Sequence, residues 1–193
     1  MIQKPDKKPM DSHILLHSCC APCAAPSSER LMKNGDTVIL FFSNSNIFPH
    51  EEYVKRLEYV KKLANHFNIE VIEDTWDHDA WLEAVKGLED EPEKGSRCSA
   101  CFAFNLKRTK VKADELGLHR FTTTLTLSPH KVSSTVFNSG KNLDGFVEEN
   151  FKKMDGFRRS IELSKELDLY RQDYCGCEFS LAQSLEKPYT PGK

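Results

Sequence analysis

The chain reads as an α/β protein: an open, mostly parallel sheet with helices on both faces. Three observations predict this. Short apolar runs of strand length alternate with segments of helical periodicity. The run Thr37–Phe42 (TVILFF) is continuous and rich in β-branched and aromatic residues, as a parallel strand buried on both sides requires. A chain of 193 residues also suffices for one large core and is short for two. A single domain over 1–193 is expected, with loose tails at 1–11 and 187–193.

In chain order, His13–His17 (HILLH) is the first strand and feeds directly into a cysteine-rich loop. Pro22 and Pro26 limit where the next helix starts, because proline is tolerated in a first turn and not deeper. That places a helix over 26–34, stopped by Gly35. After the strand Thr37–Phe42 and the polar loop Ser43-Asn44-Ser45-Asn46, apolar residues Tyr53, Leu57, Val60, Leu63, Ala64 and Phe67 recur at three and four residues. This periodicity predicts an amphipathic helix over His50–Phe67. A third strand is expected at 69–72 and a short helix at 77–85 carrying Trp81, with Trp76 and Trp81 read as core. An acidic loop precedes a helix over 96–116, with Ser96 as its cap and Gly117 as its end. A fourth strand spans 120–125, followed by a helix at 131–142, a short strand at 145–148 and a helix at 157–167. Ligands of such sheets gather at the carboxyl ends of the strands, where the cysteine loop and Ser128-Pro129 both fall.

The net charge of −2 argues against a generic nucleic-acid binder. Its distribution is uneven, net −6 over residues 1–95 and net +4 over 96–193, so a phosphate-rich partner is expected to meet the second half. No apolar segment follows the charged first dozen residues as in a secretory signal, and no apolar run reaches membrane-spanning length. The expectation is a cytoplasmic protein without a membrane partner. In a reducing compartment, clustered thiols read as metal ligands or redox groups rather than structural disulfides.

Seven cysteines fall in three clusters: Cys19, Cys20 and Cys23; Cys98 and Cys101; Cys175 and Cys177. Cys98 and Cys101 lie three residues apart in the first turn of a helix, on one face, where unpaired amides and the helix dipole favour thiolates. A CxxC also serves redox pairs and structural zinc, but joined to a second distant pair it points to a four-cysteine metal site. Adjacent Cys19 and Cys20 suit an iron-sulfur cluster, whose ligands hold different irons, better than a zinc ribbon. Cys23 is then a fifth thiol: a substitute ligand, a ligand to a second metal, or a small apolar residue. Cys175-Gly176-Cys177 reads either as a strained, reducible disulfide pair or as two metal ligands. His13 and His17 are expected to pack or to support ligands, and His130 to be a solvated loop residue, with contact to a substrate phosphate as the alternative. Lys107, Arg108, Lys110 and Lys112 are read as a wet helix face with RNA contact as the alternative.

These motifs together, HSCCAPC after the first strand, RCSACF opening a helix, TTTLTLSPHK after the fourth strand and LYRQDYCGCEFS near the end, resemble the QueH family of epoxyqueuosine reductases from about residue 13 to 181. The resemblance implies a fold similar to the adenine nucleotide hydrolase-like (HUP/Rossmann-like) ATPases that modify tRNA. Ser18 to Cys23 replaces their Gly-rich phosphate loop, which argues against ATP use. It further implies reduction of epoxyqueuosine in tRNA to queuosine, with a 4Fe-4S cluster on Cys19, Cys20, Cys98 and Cys101 and a redox-active pair at Cys175 and Cys177. Cys23 is carried as a candidate ligand of a second iron or other metal ion. An unidentified electron donor and a monomeric or weakly associating state complete the expectation. The rivals are a zinc-stabilised tRNA-binding module without catalysis and a cluster-dependent, ATP-using tRNA thiolation enzyme.

Overall fold

The computed structural model describes residues 12–186, so both expected tails lie outside the described residues. Four parallel strands, β1 (His13–His17), β2 (Thr37–Phe42), β3 (Glu70–Glu73) and β4 (Phe121–Thr123), form one sheet in the order β3-β2-β1-β4. The helices are α1 (Ala21–Lys33), α2 (His50–Phe67), α3 (His78–Ala84), α4 (Ser96–Glu115), α5 (Ser133–Gly140), α6 (Gly156–Glu166) and α7 (Glu178–Glu186). Period-2 alternation divides the core. Ile14, Leu16, Val38, Leu40 and Phe42 pack with α1, α2 and α6 on one face, while Leu15, Ile39 and Phe41 pack with Leu106 and Ala113 of α4 on the other. The chain runs β1 to β3 in one direction and then returns to lay β4 on the far side of β1. The reversal makes β1/β4 the switch point, where loops part and leave a crevice. Among the described residues no helix is long and apolar enough to cross a membrane.

Sequence and structure part at five places. Helix α1 starts at Ala21, not near Pro26, and carries Pro26 inside it. The missing Pro26 N–H leaves the Pro22 carbonyl without its helical donor, and the Ser160 hydroxyl of α6 supplies one at 2.7 Å. Gly95, not Ser96, is the N-cap of α4, where any Cβ would stand 2.5 Å from Glu91 Oε2. The fourth strand ends at Thr123, because its hydroxyl accepts the Leu125 N–H (3.1 Å) and turns Thr124–Leu127 into a 3-10 helix. The strand expected at 145–148 is reduced to a single rung between Phe121 and Phe146, since the chain turns away where the Glu149 N–H bonds back to the Val147 carbonyl (2.9 Å). Helix α7 was not anticipated. It is held by His78, whose Nε2 lies 3.1 Å from Glu178 and whose Nδ1 lies 2.7 Å from the Ser45 carbonyl.

Candidate metal centre

The strand β1 delivers Cys19 and Cys20 to the switch point, and α1 begins immediately after them with Cys23 in its first turn. The three sulfurs lie within 4.8 Å of one another, and those of Cys19 and Cys20 are 3.8 Å apart. What holds the loop is polar and buried. Asn44 donates to the Ser18 carbonyl (2.8 Å), and the Ser18 N–H donates to the Phe41 carbonyl (2.8 Å). The polar loop Ser43 to Asn46 is therefore buried, because its side chains fasten the neighbouring strand end. His17 is fully buried with Nδ1 at 2.8 Å from the Thr123 hydroxyl and Nε2 at 3.0 Å from the Ser43 carbonyl. A carbonyl only accepts, so Nε2 carries the proton and Nδ1 accepts from Thr123. Burial holds the ring below its ordinary pKa, and His17 is a neutral brace between β1, β2 and β4, not a ligand.

Helix α4 brings Cys98 and Cys101 to the same place. Cys98 and Cys19 pack against one apolar group, Phe102, Leu125 and Val136. Cys19 and Cys101 line a chamber of about 20 Å³ together with Asn46, Arg56, Asn105, Lys131 and Cys175. Beside it opens a cavity of about 520 Å³ whose walls include Cys20, Cys23 and Cys98. Phe102, Lys131 and Cys175 line both spaces. All three cysteine clusters thus converge, as free thiols.

The third cluster is placed from a distance. Arg56 of α2, buried and paired with Glu52 at 2.6 Å, donates to the carbonyls of Cys175 (3.0 Å) and Tyr174 (3.4 Å). The Cys175 N–H donates to the Ser180 hydroxyl (3.0 Å), which donates to Glu93 (2.8 Å). Gly176 sits at φ +144 with Arg56 only 3.1 Å from where a Cβ would be, so glycine is required there on two counts. Cys175 is exposed and lines both spaces, whereas Cys177 is half-buried and lines neither.

Donors surround the sulfurs. Cys19 receives the Thr124 hydroxyl (3.3 Å), Cys20 the Gln172 amide (3.3 Å), Cys98 the Lys94 N–H (3.3 Å) and Cys101 the Asn105 amide (3.9 Å). Hydrogen bonds from Cys19 and Cys23, helped by the Arg56 charge, pull the Cys20 thiol well below its ordinary range, so it ionises first in the loop. The same shared bonds push Cys23 up. Burial raises Cys98 and Cys101, and burial with the neighbouring Cys175 charge pushes Cys177 up to about 11. Burial disfavours the Lys131 ammonium, but the charges of Cys175, Cys19 and Cys23 outweigh it and keep it protonated. A set of thiols with N–H and O–H donors on the sulfurs and an ammonium among them fits a bound metal or iron-sulfur group, which needs its thiolates stabilised.

Six of the seven cysteines singled out in the sequence line one of the two spaces, and Cys177 lies next to Cys175 behind them. Thr124, Gln172, Asn105, Arg56 and Lys131 were not singled out for it. Thr124 and Lys131 fall within the TTTLTLSPHK segment and Gln172 within LYRQDYCGCEFS, which was the only signal they carried. Lys107, Arg108, Lys110 and Lys112 lie on α4, and three of them are spent in ion pairs with Asp74, Asp114 and Glu115. Trp81 is core as expected, while Trp76 is half-buried and donates to the Ile47 carbonyl (3.0 Å).

The family model for epoxyqueuosine reductase QueH matches residues 14–183 of this chain. The epoxyqueuosine reductase QueH of Streptococcus pyogenes serotype M1 is 38% identical over 186 residues, covering 91% of this chain and 72% of that protein. That of Thermotoga maritima is 38% identical over 182 residues, covering 90% and 93%. Among solved structures, the U34-tRNA thiolase NcsA from Methanococcus maripaludis, with its 4Fe-4S cluster, superposes with a TM-score of 0.52 at 11% identity. The superposition covers 89% of this chain and 63% of the thiolase, and the likeness is one of fold.

Proposed function

The chain belongs to the QueH family of epoxyqueuosine reductases, and from that premise we propose how its own residues carry out the reduction. It is an oxidoreductase, and its substrate is a tRNA bearing epoxyqueuosine. We assign a 4Fe-4S cluster to Cys19, Cys20, Cys98 and Cys101, whose sulfurs each accept a hydrogen bond from a hydroxyl or N–H group. When bound, that group supplies electrons and a Lewis acid for the epoxide oxygen. Cys23 is left as a ligand for a second iron or other metal ion.

Removing the epoxide oxygen requires two electrons and two protons. Cys175 and Cys177 together hold that amount: two thiols become one disulfide, both C–O bonds break, a C=C bond forms, and the oxygen leaves as water. Cys175 faces the cavity and meets the substrate, while Cys177 behind it closes the disulfide. Lys131 lines both spaces together with Cys175, where an ammonium can balance a thiolate formed during the reaction. A cavity of about 520 Å³ admits one modified base and not a duplex, so the wobble nucleotide enters unstacked. The protein works in the cytoplasm as a monomer or weak oligomer, with a separate electron donor restoring the dithiol.

The observation that carries this reading is the convergence of Cys19, Cys101 and Cys175 on one chamber beside Lys131. The test is anaerobic incubation of iron-loaded protein and a chemical reductant with tRNA containing epoxyqueuosine, followed by nucleoside mass spectrometry. Queuosine is the expected product. Unchanged epoxyqueuosine with a full complement of iron overturns the reading.

A further inference from the structure

Three lysines from three separate segments come together at the larger cavity: two line it, and the third bonds to one of those two. Lys94 comes from the loop before α4 and Lys131 from the stretch after β4, and both line the cavity with Ser128, His130 and Thr135. Lys152 comes from the turn before α6 and donates from Nζ to the Lys131 carbonyl. Burial, and then the charges of Lys131 and Lys94, hold the Lys152 ammonium below its ordinary pKa, as expected for cations crowded together. Among the described residues none of the three forms an ion pair with a carboxylate. The contrast with α4 and α6 is sharp: Arg108, Lys110, Lys112, Arg158 and Arg159 each have a carboxylate partner. Of the two acids on the cavity wall, Glu93 and Asp173, the first already accepts the Ser180 hydroxyl. Lys131 has the cysteine sulfurs beside it, but Lys94 and Lys152 are crowded with it without an ion-pair partner, and an anion from outside offsets that repulsion.

We propose that Lys94 and Lys152, backed by Lys131, form a phosphate site at the cavity mouth that holds a phosphodiester of the substrate RNA beside the nucleotide whose base enters. The assignment rests on the reading of this chain as a reductase acting on tRNA. It gives the cavity its orientation: base inward toward the thiols, sugar-phosphate backbone outward across the lysines. Lys131 reaches inward to Cys175, so the outer two lysines make the direct contacts.

The test uses the full, iron-loaded chain and a labelled, unmodified anticodon stem-loop of the substrate tRNA. Affinity is measured by fluorescence anisotropy across a series of KCl concentrations for wild type, Lys94→Gln, Lys152→Gln and the double variant. Each substitution is expected to weaken binding about five- to tenfold at low salt and to reduce the slope of log affinity against log salt by about 0.7. Lys107→Gln, on the exposed face of α4, is expected to leave both unchanged. Inorganic phosphate at matched ionic strength is expected to displace the stem-loop from wild type. Phosphate binding that leaves RNA binding untouched overturns the RNA assignment. Unaltered affinity and slope in the double variant overturn the site, as does lost turnover with intact RNA binding, which moves the lysines to some other acidic partner. Wild type that converts epoxyqueuosine while the variants bind normally fails this inference alone. Wild type with a lysine-dependent salt slope and no conversion fails the reductase reading and leaves the phosphate site standing.

Discussion

At the scale of single residues, the separation of duties among seven thiols is the sharpest claim. Alanine at Cys19, Cys20, Cys98 or Cys101 is expected to lose most of the bound iron, read by metal analysis and by absorbance of the sulfur-to-iron transitions. Serine at Cys175 or Cys177 is expected to keep that spectrum and lose turnover, as the proposed dithiol role of the pair requires. Full iron in any of the first group, or iron loss in the second, reassigns the residue. The cysteine clusters were legible because thiols at CC, CxxC and CxC spacing are rare and chemically loaded. Their partners were not. Thr124, Gln172 and Asn105 are ordinary polar residues until folding carries them across 105, 152 and four positions respectively to a sulfur. Arg56 reads as one more charge on an amphipathic helix, and only its contact with the Cys175 carbonyl reveals that it sets the position of the Cys175-Gly176-Cys177 segment.

At the scale of elements, long periodic segments were read well and local turn chemistry was not. Helix α2 and strands β1 and β2 follow from patterns that span the whole element. The start of α1 does not, because tolerance of Pro26 depends on Ser160, which lies 138 residues away from the carbonyl it serves. Ser160→Ala is therefore expected to leave the buried Pro22 carbonyl without a donor and to cost about 1–3 kcal/mol. Urea unfolding of both proteins checks this, and equal midpoints refute it. Helix α7 escaped notice because its sequence, EFSLAQSLE, is short and only weakly amphipathic. What fixes it is tertiary, namely Glu178 on His78 and Ser180 between Cys175 and Glu93.

For the whole molecule, one carboxylate joins sheet, loop and helix. Asp74 accepts from Ser43 at the end of β2 and from Arg108 of α4, both at 2.6 Å. Burial alone raises its pKa, but these donors outweigh burial and hold it below the ordinary carboxylate value. A depressed folded pKa means that its contribution is fully present above about pH 4 and fades as the pH falls through the folded value. Asp74→Asn is accordingly expected to be less stable than wild type at neutral pH, with the gap narrowing as acid protonates the wild-type carboxyl. A gap constant down to pH 3 refutes this. The sheet order β3-β2-β1-β4 has a consequence in time as well as in space. Strands β1 to β3 pair with their sequence neighbours, but His17 meets Thr123 only by closing a loop of 106 residues. Pairing over such distances is the slow step of folding. Until it happens, the loop thiols, the α4 pair and the C-terminal pair have no fixed companions. Refolding under air should then trap wrongly cross-linked chains, whereas refolding under a thiol reductant should recover the native thiols. The architecture that gathers the chemistry at one point also makes the newly folding chain its own most vulnerable substrate for oxidation.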